Sequence, residues 1–281
     1  MRPLRFTRHL VGALLTLAAC ASHAADGVSA SQILIGQTLT LQGGKNEYGA
    51  AVRAGVEAAV EQVNRSGGVA GRRLVFKVLD DDNQPERAEA NARQLVGQDK
   101  VLLLFGSIEG GPSTAVMKAA LELKVPFFGP MAGSPTLRVP HQPLVFPVRA
   151  EHKDEFRALM AHARSLGMSK VAFVRSDSET GRQHLANVQR LAKDTGIDAV
   201  TDLPFKSDIG DAQLAEMARQ IAASGAEVVF NHGGVGMYEK LIRQARQAGV
   251  KAYFYAVNSG SSQLAARLGA PGEYIDYAAA K

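Results

Sequence analysis

Residues 74–105 read LVFKVLDDDNQPERAEANARQLVGQDKVLLLF, and this stretch decides the fold. Leu74 to Leu79 is a short apolar run of strand length. Asp80-Asp81-Asp82-Asn83 then turns the chain. Pro85 to Val96 begins with proline in its first turn and carries apolar residues at helical spacing. Val101 to Phe105 is apolar again. A strand, a helix and a second strand in so short a span make a βαβ unit with parallel strands.

The same beat extends both ways. Ile33 to Gln37 and Val125 to Phe128 read as further buried strands, with helices over Ala50 to Val63 and Ser113 to Leu123. The rhythm then restarts. Strands are expected at Val171 to Val174, Ala199 to Leu203, Val228 to Asn231 and Ala252 to Val257. Helices are expected at Glu151 to Leu166, Gly181 to Asp194, Asp211 to Ala223 and Tyr238 to Ala248. Gly167, Gly196, Gly225 and Gly249 stand where a left-handed residue ends a helix. Between the two runs, Pro140, Pro143 and Pro147 forbid a helix and mark a hinge. The expected class is α/β: two doubly wound, Rossmann-like lobes. The segments are 1–25 as an export signal, 26–145 and 146–270 as the lobes, and 271–281 as a tail. One large sheet with a proline-rich surface loop is the alternative.

The first residues are not part of a fold. Arg2, Arg5 and Arg8 precede a short apolar run from Leu10 to Ala19, and small residues follow. That is a secretory signal. Ser22-His23-Ala24 offers simple cleavage. Leu17-Ala18-Ala19-Cys20 offers a lipobox in which Cys20 would be acylated. The expected location is the periplasm, free or tethered to the membrane through Cys20. Cys20 is the only cysteine, so no disulfide forms within the chain. The formal charge of +5, less the three arginines of the signal, leaves +2, with Lys and Arg scattered among Asp and Glu. No nucleic-acid footprint is present, and no later segment is apolar enough to span a bilayer.

Parallel sheets bind ligands beyond the carboxyl ends of their strands. Two loops in such places are built for an oxyanion. Gly106 to Ser113 carries Ser107 and paired glycines before a helix N-terminus. Gly129 to Pro135 repeats glycine and serine between prolines. For each, a plain turn is the alternative. Asp80 to Asn83 lacks the spacing of a calcium loop and reads as a capping turn. His232-Gly233-Gly234-Val235-Gly236 lacks the third glycine of a dinucleotide loop. No nucleophile elbow or H-E-x-x-H appears, so no catalytic residue, cofactor or metal is expected. Among the histidines, His152 and His232 fall where a ligand could reach. His141, His162 and His184 read as solvated positions.

The order of several motifs resembles the type I extracytoplasmic solute-binding proteins of ABC importers, in the leucine/branched-chain-amino-acid-binding family. They are ILIGQ from Ile33, GGVAGRRL from Gly67 and DDDNQPERA from Asp80, then VPFFGPMAGS from Val125, VRAEHKDE from Val148 and YEKLIRQARQAGV from Tyr238. The resemblance implies a non-enzymatic monomer that closes on a small solute and delivers it to an ABC permease in the inner membrane. It implies that the first lobe grips a carboxylate through Ser107, Ile108, Gly110, Gly111, Ala132, Gly133 and Ser134. His152, Thr180 and Asn258, with positions near Val235, would contribute from the second lobe. His152 and Asn258 stand where the amino-acid binders place an acid, which favours a carboxylate, amide or urea-like solute over an amino acid. Family members also continue past Lys281, so the C-terminal return segments are expected to be missing and the lobes to expose apolar edges. A sensory ligand-binding domain, an exported hydrolase and a non-functional truncated form are the rival readings.

Overall fold

The computed structural model describes residues 25–42, 46–206, 208–233, 235–256 and 274–276. Residues 1–24 of the signal, Cys20 among them, lie outside these.

The first run folds as β1 (Gln32–Leu39), α1 (Asn46–Arg65), β2 (Arg73–Asp80), α2 (Pro85–Gly97), β3 (Leu104–Phe105), α3 (Gly110–Glu122), β4 (Phe127–Phe128), a 3₁₀ turn (Pro135–Leu137) and β5 (Val145–Phe146). The second folds as α4 (His152–Ser165), β6 (Lys170–Ser176), α5 (Glu179–Thr195), β7 (Ala199–Phe205), α6 (Asp211–Ser224), β8 (Val228–His232), α7 (Val235–Gln247), β9 (Tyr253–Ala256) and β10 (Tyr274–Asp276). Gly167, Gly196, Gly225 and Gly249 all take positive φ at helix ends, as their positions required.

The strands form two five-stranded parallel sheets. Their orders are β2-β1-β3-β4-β5 and β10-β9-β8-β6-β7. Renumbered within each half, both orders are the same: the first strand lies between the second and the third. Each sheet therefore has a switch point beside its first strand, where the chain leaves in opposite directions and a crevice opens. In the first sheet that point lies between β1 and β3, and in the second between β6 and β8. Pro204 sits in β7, an edge strand, where a missing N–H is tolerated.

The lobes differ in how they are covered. In the second, side chains alternate along each strand to two faces. Val171, Phe173, Val228, Phe230 and Tyr255 pack beneath α4 and α5. Ala172, Val174, Val229 and Phe254 pack beneath α6 and α7. In the first lobe one face is closed by Ala88, Ala92 and Leu95 of α2 and Val116, Ala119 and Ala120 of α3. Its other face carries an aromatic ladder, Phe76–Phe105–Phe128–Phe146, with ring centroids 5.4, 6.3 and 6.1 Å apart. Among the described residues, Val52, Val56, Val60 and their neighbours on α1 lie over it, with a groove of about 590 Å³ between. Phe128 and Phe146 are nearly half exposed.

Candidate functional site

At the first switch point the exits of β1 and β2 are tied together. The Asp81 carboxylate accepts hydrogen bonds from Thr38 Oγ1 (3.1 Å), Thr40 Oγ1 (2.7 Å) and the Asn83 amide (3.0 Å). Asp80 accepts from the Leu41 and Asp82 amides. The acidic run therefore serves as a turn, capping its own amides and pinning the exit of β1. Burial pushes the Asp81 carboxyl up, against the pull of Thr40.

The next two loops lock to each other. Ser107 is buried at φ 127°, and its hydroxyl accepts from Ser113 at 2.9 Å. Its carbonyl accepts the Met131 amide at 2.9 Å. A run of hydroxyls then leads outward. Thr114 donates to the Gly110 carbonyl and touches Thr136 at 2.7 Å, and Thr136 touches Ser134 at 2.8 Å. Arg138 holds the carbonyls of Ala132, Ser134 and Arg149. Helix α3 begins at Gly110, and among the described residues no side chain caps it; its first N–H groups carry the positive end of the helix dipole.

From the second lobe, α5 brings Thr180 to the same point. A Cβ on Gly110 would lie 3.6 Å from Ser134 Cβ and 3.9 Å from Thr180 Cγ2. The N-cap of α5 is Ser178, whose Oγ accepts the Gly181 amide at 3.0 Å. Gly181 is needed because a Cβ there would lie 1.9 Å from the Ser176 carbonyl oxygen.

His152 opens α4 beside this junction. Its amide donates to the Gly133 carbonyl at 3.0 Å. A Cβ on Gly133 would come within 2.7 Å of its Nδ1. That Nδ1 pairs with Glu155 Oε2 at 2.8 Å, and Arg149 grips the same carboxylate with contacts of 2.7 and 3.0 Å. Burial raises the Glu155 carboxyl, with Arg149 opposing. Tyr48 sits within the electrostatic reach of Arg149, Glu109 and Glu155, and burial raises its hydroxyl.

Behind His152 stand two more imidazoles. Ring centroids are 5.0 Å from His152 to His184, 4.5 Å from His152 to His232 and 4.2 Å from His184 to His232. Burial pushes His184 down to about 4.

The structure thus brings Gly110, Ser134 and Thr180 together, and Gly133 with His152. Gly111 continues the first turn of α3. Ile108 and Ala132 are buried behind the loops. Asn258 lies outside the described residues, as does the side chain of Val235. One expectation is corrected. His184 is not solvated but 1% exposed, because it shares the inward stripe of α5 with Val188, Leu191 and Ala192. That spacing was present in the sequence. Glu155, Arg149 and Tyr48 had no signal beyond ordinary charge and helix pattern.

A family model described as periplasmic binding protein matches residues 32–278. The Leu/Ile/Val-binding protein homolog 3 of Brucella melitensis is 27% identical over 224 residues, covering 79% of this chain and 60% of that protein. The chain thus spans less than two thirds of that relative's length. An extracellular ligand-binding receptor from Verminephrobacter eiseniae superposes with a TM-score of 0.72 at 30% identity, over 84% of this chain and 67% of that one. A solute-binding protein of an ABC transporter from R. palustris, solved with benzoate, gives a TM-score of 0.76 at 21% identity, covering 85% and 66%. The last likeness is one of fold. Among the described residues no helix is long and apolar enough to cross a membrane.

Proposed function

The chain belongs to the periplasmic binding protein family, and we propose that it captures a small carboxylate- or amide-bearing solute between its lobes for delivery to an ABC permease. The observation that carries this is the junction at Gly110. There the uncapped start of α3, the Ser134 hydroxyl from the first lobe and Thr180 from the second converge within 4 Å. Backbone N–H groups and hydroxyls at a helix N-terminus suit an oxyanion. Helix α5, by contrast, is capped by its own Ser178, so the anion-seeking end belongs to the first lobe.

The charges favour a solute without an ammonium group. Two buried acids flank His152, and both are engaged: Glu155 by Arg149 and His152, and Glu151 by Lys153. A buried ammonium brought there would lack a partner of its own, which is costly. The desolvation of an aromatic or aliphatic carboxylate would instead be offset by the N–H groups at the start of α3 and the hydroxyls beside it. The benzoate bound to the R. palustris protein is a solute of this kind. The Brucella relative is named for branched-chain amino acids, and these are the competing ligands. Export to the periplasm, with Cys20 as the alternative lipid anchor, fits this role.

A thermal-shift screen of the purified chain with benzoate, an aliphatic carboxylate, an amide, urea, leucine and valine tests the proposal. A rise in melting temperature with a carboxylate or amide, exceeding that with leucine or valine, is expected. A larger rise with leucine or valine would overturn the choice of solute. No rise with any of them would overturn the binding role.

A further inference from the structure

We propose that His152, His184 and His232 form a binding site for a divalent transition-metal ion of the Zn²⁺ class. The site borders the hydroxyl and helix-end junction proposed for the solute, to which the His152 amide is tied through the Gly133 carbonyl.

Three different elements supply the imidazoles: the first residue of α4, the second turn of α5 and the carboxyl end of β8. One potential ligand atom from each lies within 4.8 Å of the others. A tetrahedral zinc with bonds of about 2.0–2.1 Å needs its nitrogens about 3.4 Å apart. Small χ rotations close that gap, since the rings are already in contact. Imidazole nitrogen suits Zn²⁺, Cu²⁺ and Ni²⁺ over the oxygen-seeking cations.

Two further observations point to a ligand. His184 is 1% exposed, and among the described residues neither of its ring nitrogens has a hydrogen-bond partner. A buried polar group is rarely left so, and a metal bond would satisfy the ring's lone pair. His152 is also prepared from behind. Its Nδ1 pairs with Glu155 at 2.8 Å, and Glu155 is held by Arg149. With Nδ1 so committed, the atom His152 would present to a metal is Nε2. A carboxylate fixing the far side of a ligating histidine is the usual outer support of such sites. Phe156 packs against all three rings, with centroids 6.2, 5.7 and 6.1 Å away, and gives the site an apolar wall.

The cluster escapes a motif search because no two of its members are neighbours in sequence; the fold alone assembles it. Three protein ligands leave one coordination position open. A water, or the carboxylate of a bound solute, can fill it; the second of these rests on the proposed function, while the metal site itself does not.

The test uses Zn²⁺ alone, without solute. The purified chain is stripped with chelator, loaded with ZnCl₂, desalted and assayed for metal by mass spectrometry. Retention of about one Zn²⁺ per chain, with a raised melting temperature, is expected. His184→Phe, which keeps an aromatic ring in the cluster, should melt cooperatively yet retain no zinc. Equal zinc in the wild type and His184→Phe, or none in the wild type, would overturn the site. Should His184→Phe fail to fold, ¹⁵N imidazole NMR of the wild type decides. Zinc shifts confined to His152, His184 and His232 support the site. Shifts at other histidines, or none, refute it.

Discussion

Replacing Gly181 by alanine should unfold the second lobe's edge of the site from within. A Cβ at that position would lie 1.9 Å from the Ser176 carbonyl oxygen and 3.0 Å from its carbon. An ordinary C–H···O contact needs about 3.3–3.6 Å. Helix α5 must therefore retreat from the end of β6 by about 1.5 Å, because the opposing atom is backbone and cannot swing aside. The retreat pulls the Gly181 amide off Ser178 Oγ, now 3.0 Å away. A lost N-cap costs about 0.5–2 kcal/mol, and overpacking about 1–3 kcal/mol. Together these amount to about 1.5–5 kcal/mol. For a chain of this size each kcal/mol lowers the melting temperature by about 2–4 °C, so a fall of about 3–20 °C is expected by far-UV circular dichroism. Gly55→Ala is the control. Gly55 is exposed in α1 with nothing within 4 Å of its Cβ. There alanine should stabilise by about 0.5–1 kcal/mol through helix propensity. A Gly181→Ala melt within 2 °C of wild type, or both variants shifting in the same direction, would refute the reasoning.

Other outcomes follow from the same contacts. Phe173→Ala, in the core between α4 and α5, should cost about 3–5 kcal/mol. Phe128→Ala, on the open face at 47% exposure, should cost about 1 kcal/mol; chemical denaturation of both variants measures the contrast between a covered and an uncovered sheet face. Glu227 accepts the Ser169 and Lys170 amides at 2.7 and 3.0 Å, which hold its carboxyl below the ordinary 4.5. A carboxyl lowered in the folded state contributes stability above 4.5 that is lost as the pH falls through its folded value. The stability gap between wild type and Glu227→Gln should therefore narrow as the pH drops below 4.5. Acid titrations of both melts would show it, and a gap that widens would contradict the assignment.

How much of this was legible in the sequence varies by element. The long strands and helices were, because their periodicity and glycine stops are local. β5 and β10 were not, because two or three residues carry no period and Phe146 lies among prolines. Val101 to Phe105 read as a full strand but gives only the two-residue β3. Leu102 still donates to Leu34 and Gly36 to Leu103, so the chain runs alongside β1 with few ladder bonds. In the site, the glycine and serine loops were visible because they need particular residue types. Their convergence with Thr180 was not, because it depends on how the second lobe presents α5. His184 was misread because a histidine on a helix looks solvated until the stripe of Val188 and Leu191 is followed through it. Glu155 is an ordinary helical acid until Arg149 and His152 close on it.

Calorimetric titration of benzoate, or of the best solute from the thermal screen, into wild type and Ser134→Ala tests the central claim most directly. The account predicts saturable one-to-one binding. It also predicts that Ser134→Ala, losing one hydrogen bond to a charged group worth about 1.5–3 kcal/mol, binds at least tenfold more weakly while still melting cooperatively. Equal affinity in the two proteins, or no saturable binding in either, would contradict it.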